Sequence, residues 1–124
     1  MAGRLVHFEL PAQDTGRARE FYGSLFGWTF NSWDGPMEYH MTEAGGQPGG
    51  GIYLSDSGER GPKIYFDVED VDAAAARVRE LGGSADDPMP IPGVGRHSQC
   101  TDTEGNPFGL FESNESVGGG GGSA

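Results

Sequence analysis

His7 and Glu9 stand two residues apart in the alternating run His7-Phe8-Glu9-Leu10. In an extended strand that spacing turns both side chains to one face, where an imidazole and a carboxylate can pass a proton or hold a cation. His40 and His97, on other expected strands, could join them in a two- or three-histidine site with a carboxylate. Such a donor set suits iron or zinc. The competing reading is plainer: a lone histidine on a strand commonly serves only as a hydrogen-bonding core or surface residue. Cys100, the single cysteine, has no neighbouring pattern to activate a thiolate and reads as packing.

The elements that must position these residues come in a repeat. Asp14 opens a stretch that reaches Leu25-Phe26-Gly27, and 56 residues later Asp70 opens one that reaches Leu81-Gly82-Gly83. Each follows a short alternating run, and each aspartate can cap the free amides of a helix. A strand followed by a capped helix, twice at a fixed offset, marks a duplicated supersecondary unit. Two such units imply a cleft between equivalent modules. The offset sets Lys63 and Tyr65 against His7 and Glu9, which makes a Lys63–Glu9 pair the expected occupant of that cup.

The first strand is expected over Leu5–Leu10, ended by Pro11, with a helix from Asp14 whose Ala18, Phe21, Tyr22, Leu25 and Phe26 form a core face. Further strands are expected to start at Trp28-Thr29-Phe30 and to cover Met37–Thr42 and Gly51–Ser55, with residues 45–51 as a glycine-rich loop. That loop lacks the Lys-Ser/Thr of a phosphate-binding loop. The second unit reads as a strand over Lys63–Val68, a helix over Val71–Leu81, and strands over Arg96–Thr101 and Phe108–Glu112. Pro88, Pro90 and Pro92 confine the stretch between to a loop or a sheet edge. Each module is thus β-α-β-β-β. Tyr53, Tyr65 and Phe111 alternate onto the presumed cup face, where an apolar wall with a few polar groups makes a ligand pocket; core filling is the rival role. Trp33, beside a turn, fits a pocket rim or a dimer contact.

Nineteen acids against eight bases give a formal net charge of −11 over 124 residues. Such a surface argues against nucleic-acid binding, which needs basic surface to replace counterions. It would draw cationic ligands over long range if the acids cluster at the site; plain solubility is the other reading. No apolar run is long enough to span a membrane, the N-terminal residues lack the apolar core of a signal peptide, and one cysteine fits a reducing cytoplasm. The glycine-rich residues 114–124 are expected to be a disordered tail.

The motifs Val6-His7-Phe8-Glu9, Ala18-Arg19-Glu20-Phe21-Tyr22 and Leu25-Phe26-Gly27-Trp28 resemble the vicinal oxygen chelate superfamily. So do Asp67-Val68-Glu69-Asp70-Val71-Asp72, Ile91-Pro92-Gly93-Val94-Gly95, and the ending Asp102-Thr103-Glu104-Gly105-Asn106-Pro107-Phe108-Gly109-Leu110-Phe111-Glu112. This superfamily holds glyoxalase I, extradiol dioxygenases, and fosfomycin- and bleomycin-resistance proteins. The resemblance covers residues 4–113 and is similar to the glyoxalase-like branch. It implies an α+β fold of two paired βαβββ modules, about 4–56 and 62–113, in a homodimer.

The four metal-ligand positions of metal-dependent members fall, by that resemblance, on His7, Tyr53, Lys63 and Gly109. Only His7 is a good ligand: Tyr53 is poor, Lys63 is a cation, and Gly109 has no side chain. The resemblance therefore implies a metal-free small-molecule-binding protein in which His7, Glu9 and Lys63 hold polar groups while Tyr53, Tyr65 and Phe111 supply apolar contact. The alternative is a glyoxalase-like lyase, isomerase or dioxygenase. It would use a divalent metal relocated near His7, or metal-free proton transfer by Glu9 and His7 with Lys63 stabilising an enolate.

Overall fold

A computed structural model describes residues 3–113; the expected tail at 114–124 lies outside the described residues. The chain divides into two compact units, one of residues 6–63 and one of residues 3–5 with 64–113.

The first unit holds β1 (Arg4–Ala12, from Val6 onward), α1 (Thr15–Phe26), β2 (Asn31–Ser32), β3 (Tyr39–Thr42) and β4 (Gly50–Leu54), with sheet order β2-β3-β4-β1. The second holds β5 (Lys63–Asp67, from Ile64 onward), α2 (Val71–Glu80), β6 (Ser84–Ala85), β7 (Met89–Ile91), β8 (Gly95–Thr101) and β9 (Pro107–Ser113). Its order is β6-β8-β9-β5, and β7 pairs with β8. In both units the first strand runs parallel to the last, and the remaining pairs are antiparallel. The repeat read from the chain is thus a repeat of topology.

The two aspartates start the helices as their chemistry requires. Asp14 accepts from the Arg17 amide at 2.9 Å, and Asp70 accepts from the Ala73 amide at 3.1 Å. Each satisfies an amide that has no partner within its helix. Gly27 ends α1 in the left-handed conformation, φ 77°, which glycine adopts without steric cost. In the second unit Val71, Cys100 and Leu110 form the buried centre beneath α2, joined by Ala74, Val78 and Phe108. Burial raises the Cys100 thiol above its usual range, the state of a packing residue and not of a nucleophile.

Several expectations need correction. Pro11 does not end the first strand, which continues to Ala12. Phe8 donates to Gly49 and Ala12 accepts from Ser55, so the even-numbered residues of β1 bond to β4. The missing amide of Pro11 therefore points away from that ladder. The glycine-rich loop gives up Gly50 and Gly51 to β4, because aromatic rings cover the space their side chains would fill: Phe8 over Gly50 and Tyr39 over Gly51. Trp28 to Phe30 form no strand; Trp28 instead joins a cluster with Phe8, Tyr22 and Phe26.

The α1 core face is narrower than its apolar spacing suggests. Phe21, Leu25 and Phe26 are 59%, 58% and 58% exposed. Ala18 and Tyr22 make the inward stripe, and the Tyr22 ring stacks on Trp28 with centroids 5.2 Å apart. Phe21 meets the edge of Tyr22 and stays outside that stack. Proline did mark an edge: Pro90 lies in β7 opposite Arg96.

Candidate functional site

Register decides what each sheet face carries. In the first unit Leu10 pairs with Ile52, and Ile52 with His40, so these share the face beneath α1. Glu9 pairs with Gly51, Pro11 with Tyr53, and Tyr53 with Tyr39, so these share the opposite face with His7.

On that helix-free face Tyr39 slides its ring over Gly51 and brings its hydroxyl within 2.5 Å of His7 Nε2. Tyr39 and Tyr53 lie nearly parallel, 10° apart, and both are buried. Tyr53 donates to Glu59 Oε1 at 2.7 Å. Burial pushes the His7 imidazole below its ordinary value, against the opposing pull of the Glu9 charge, so the ring is neutral at pH 7. Burial, then the Glu59 hydrogen bond and charge, hold the Tyr53 phenol far above its usual range. The same hydrogen bond keeps the Glu59 carboxyl low, and the Lys63 charge adds to that. Lys63 thus acts on Glu59.

The helix-free face of the second unit carries Tyr65, Gly109, Gln99, His97 and Phe111, whose pairings place them on one side. The Gln99 amide nitrogen donates to Tyr65 Oη at 2.9 Å and meets His97 Nδ1 at 2.9 Å. His97 Nδ1 is then the acceptor, which leaves the proton of the neutral ring on Nε2. The Tyr65 ring lies across Gly109.

His40 belongs elsewhere. It is buried on the helix side, with Nε2 3.0 Å from Glu38 Oε2 and Nδ1 3.2 Å from Ser32 Oγ. Thr15, the first residue of α1, also donates to Glu38. The Thr15 and His40 hydrogen bonds hold the Glu38 carboxyl below its usual range. An ionised carboxylate only accepts, so His40 donates to Glu38 from Nε2. This histidine ties the start of α1 to β3 and faces away from His7.

Residues 4–45 match the family described as bleomycin resistance protein-like N-terminal. A "Glyoxylase-like domain-containing protein" of Didymella fabae is 30% identical over 114 residues, which are 84% of this chain and 89% of that protein. The chain belongs to the glyoxalase-like family of the vicinal oxygen chelate superfamily. "Putative glyoxylase CFP32" of Mycobacterium tuberculosis is 34% identical over 121 residues. Those residues are 89% of this glyoxalase-like chain but 46% of that protein, so the chain spans about half the length of this curated relative.

Among solved structures, methylmalonyl-CoA epimerase from Mycobacterium tuberculosis superposes with a TM-score of 0.72 at 17% identity, over 89% of this chain and 87% of that one. A Streptomyces coelicolor methylmalonyl-CoA epimerase in complex with 2-nitronate-propionyl-CoA gives 0.67 at 21%, over 91% and 99%. They share with this glyoxalase-like chain the expected glyoxalase/bleomycin-resistance fold.

The family's metal positions do not fit a divalent ion here. The Tyr53 phenol stays protonated and donates to Glu59, Lys63 is a cation, and Gly109 lies beneath the Tyr65 ring. The relocated alternative loses His40 to the opposite face, and no group of three or more His, Cys, Asp or Glu suited to a metal occurs among the described residues. Sequence reasoning missed Tyr39, Glu59 and Gln99. Tyr39 lies within an expected strand, but only register shows that it reaches His7. Glu59 lies in a linker with no local signal.

Proposed function

We propose that this glyoxalase-like protein binds a small organic molecule on the helix-free sheet face of its first unit, with no metal among the groups that hold it. The run of contacts from His7 through Tyr39 and Tyr53 to Glu59 carries the reading. It combines flat apolar surface with oriented polar groups, the usual make-up of a small-molecule site. Glu9 and Lys63 would meet charged groups of the ligand. Sequestration, as in the drug-binding arm of the family, would need no catalysis. No described helix is long and apolar enough to cross a membrane; a cytoplasmic homodimer is part of this reading. Thermal-shift screening of cationic antibiotics and acyl-thioesters tests it. A hit whose affinity falls in Tyr39→Ala supports it; indifference across the panel counts against it.

A second reading is isomerase chemistry, favoured by the neutral His7 in hydrogen bond with a phenol. His7 would take a proton from carbon next to a carbonyl, Lys63 would face the enolate oxygen, and the proton would return to the other face of that carbon. Because the structural neighbours are epimerases, methylmalonyl-CoA in D2O is the first substrate to try. Deuterium uptake lost in His7→Gln would support this reading, and no uptake by the wild type would end it for that substrate.

A further inference from the structure

β2 and β3 bring a hydroxyl, an imidazole and a carboxylate into one hydrogen-bonded line at the edge of the first unit. Ser32 is the direct partner of His40 across the antiparallel ladder. Trp33 donates to the Tyr39 carbonyl, so those two are a hydrogen-bonded pair, and Ser32 and His40 are the neighbouring unbonded pair. At such positions cross-strand side chains come closest, and Ser32 Oγ stands 3.2 Å from His40 Nδ1. Glu38 lies two residues before His40, on the same face, with Oε2 3.0 Å from His40 Nε2. Thr15, buried at the start of α1, also donates to Glu38 and fixes its direction. His40 is buried, whereas Ser32 is exposed on the end strand of the sheet. The Ser32 amide turns away from β3 and has no backbone partner among the described residues.

We propose that Ser32 is a nucleophile for acyl transfer from small carboxylic esters, with His40 as its general base and Glu38 as a positioning residue. A nucleophile bonded to a base that a third group orients is the arrangement this chemistry needs. With Nε2–H on the Glu38 carboxylate, the neutral imidazole holds its lone pair at Nδ1, where the Ser32 hydroxyl donates. Ser32 Oγ attacks the ester carbonyl carbon as its proton passes to Nδ1. The bond from that carbon to the alcohol oxygen breaks, the oxygen takes the proton from Nδ1, and an acyl-Ser32 remains. Water then attacks the acyl carbon and gives a proton to Nδ1. The acid leaves as that proton returns to Ser32 Oγ. The Ser32 amide is a donor for the carbonyl oxygen as it gains charge. The open position of Ser32 favours short acyl groups over long chains that need a deep pocket. None of these groups lies on the helix-free face, so this activity and the binding proposed there can fail separately.

The test is hydrolysis of p-nitrophenyl acetate by the full chain, with a fluorophosphonate probe and peptide mass spectrometry to locate the reactive serine. The probe should label Ser32 ahead of the exposed Ser24 and Ser57, and the ester should leave a transient acetyl group on Ser32. Ser32→Ala, a change at an exposed site, should lower kcat by about a hundredfold, the lower end of what a positioned base supplies. Glu38→Gln should lower kcat with KM unchanged and slow the labelling of Ser32, effects that a purely structural tie to α1 would not produce in a folded variant. The proposal is overturned if Ser32→Ala hydrolyses the ester as fast as the wild type, or if the acetyl group is found on His40 or Lys63. Labelling of Ser32 no faster than of Ser24 and Ser57 overturns it without any variant.

Discussion

Tyr65 lies across Gly109, its partner in the parallel β5–β9 ladder, so closely that a Cβ on Gly109 would stand 2.2 Å from the Tyr65 ring. By the family resemblance Gly109 falls at a metal-ligand position, and here a neighbouring aromatic occupies the space a side chain would need. Restoring the four ligands therefore requires more than Tyr53→Glu, Lys63→His and Gly109→Glu; Tyr65 must shrink as well. Gly109→Ala alone should cost about 1–3 kcal/mol, the usual range for overpacking. With Tyr65→Ala the two losses should be less than additive, measurable by a double-mutant cycle in urea. Additive losses would show that the ring moves aside freely.

The first unit offers a parallel case at Gly51 and Tyr39, where the corresponding distance is 2.1 Å. Gly51→Ala should displace the Tyr39 ring and lengthen its hydrogen bond to His7. The His7 ring resonances should shift in NMR while the Asp14 cap is untouched. Unchanged His7 resonances would contradict the coupling.

His7 should make stability fall as the solution is acidified. Its folded pKa lies below the ordinary value near 6.5. Between those values the unfolded chain binds a proton that the folded chain does not, so unfolding free energy rises with pH there. The contribution is complete above the unfolded pKa and is lost as pH falls toward the folded one. Denaturant titrations from pH 7 to 5 should show a slope that His7→Gln flattens.

Tyr53 should resist ionisation at a pH where an ordinary phenol ionises. Burial is the leading cause and Glu59 the next, so Glu59→Gln should bring this phenol only part of the way back toward about 10. Tyrosinate absorbance against pH follows both proteins. A full return in the variant would mean that burial contributes little.

Asp14→Ala and Asp70→Ala should each cost about 1 kcal/mol, the typical value of an N-cap. Thermal melts of the two variants should fall by similar amounts, because the two caps have the same backbone conformation, φ −132° and −136°. A loss at one site only would show that the repeat is not energetically equivalent.

Local chemistry made much of the fold legible in the chain. Asp14, Asp70 and Gly27 act within a turn of themselves, so the helix ends could be read directly. The 56-residue repeat carried the topology of both units, and the superfamily motifs agreed with it. The apolar spacing of α1 was less informative: it showed which residues could be buried, not that the Tyr22–Trp28 stack would leave Phe21 and Leu25 outside.

His7, Glu9, Tyr53, Tyr65 and Phe111 were named from strand alternation and family position, and alternation does place them on helix-free faces. Their partners were not legible. Tyr39 meets His7 across 32 residues, and Gln99 meets Tyr65 across 34. Such contacts depend on register, where a one-residue slip turns every side chain to the opposite face. The sequence by itself determined the capped helices, the repeated strand pattern and the poor ligand quality of Tyr53, Lys63 and Gly109. Only tertiary structure decided that His40 turns away from His7, that Tyr65 covers Gly109, and that Glu59 leaves its linker to hold Tyr53. The Tyr65–Gly109 contact crosses the β5–β9 ladder, and the other two outcomes follow from strand register and side-chain packing, which no local propensity encodes.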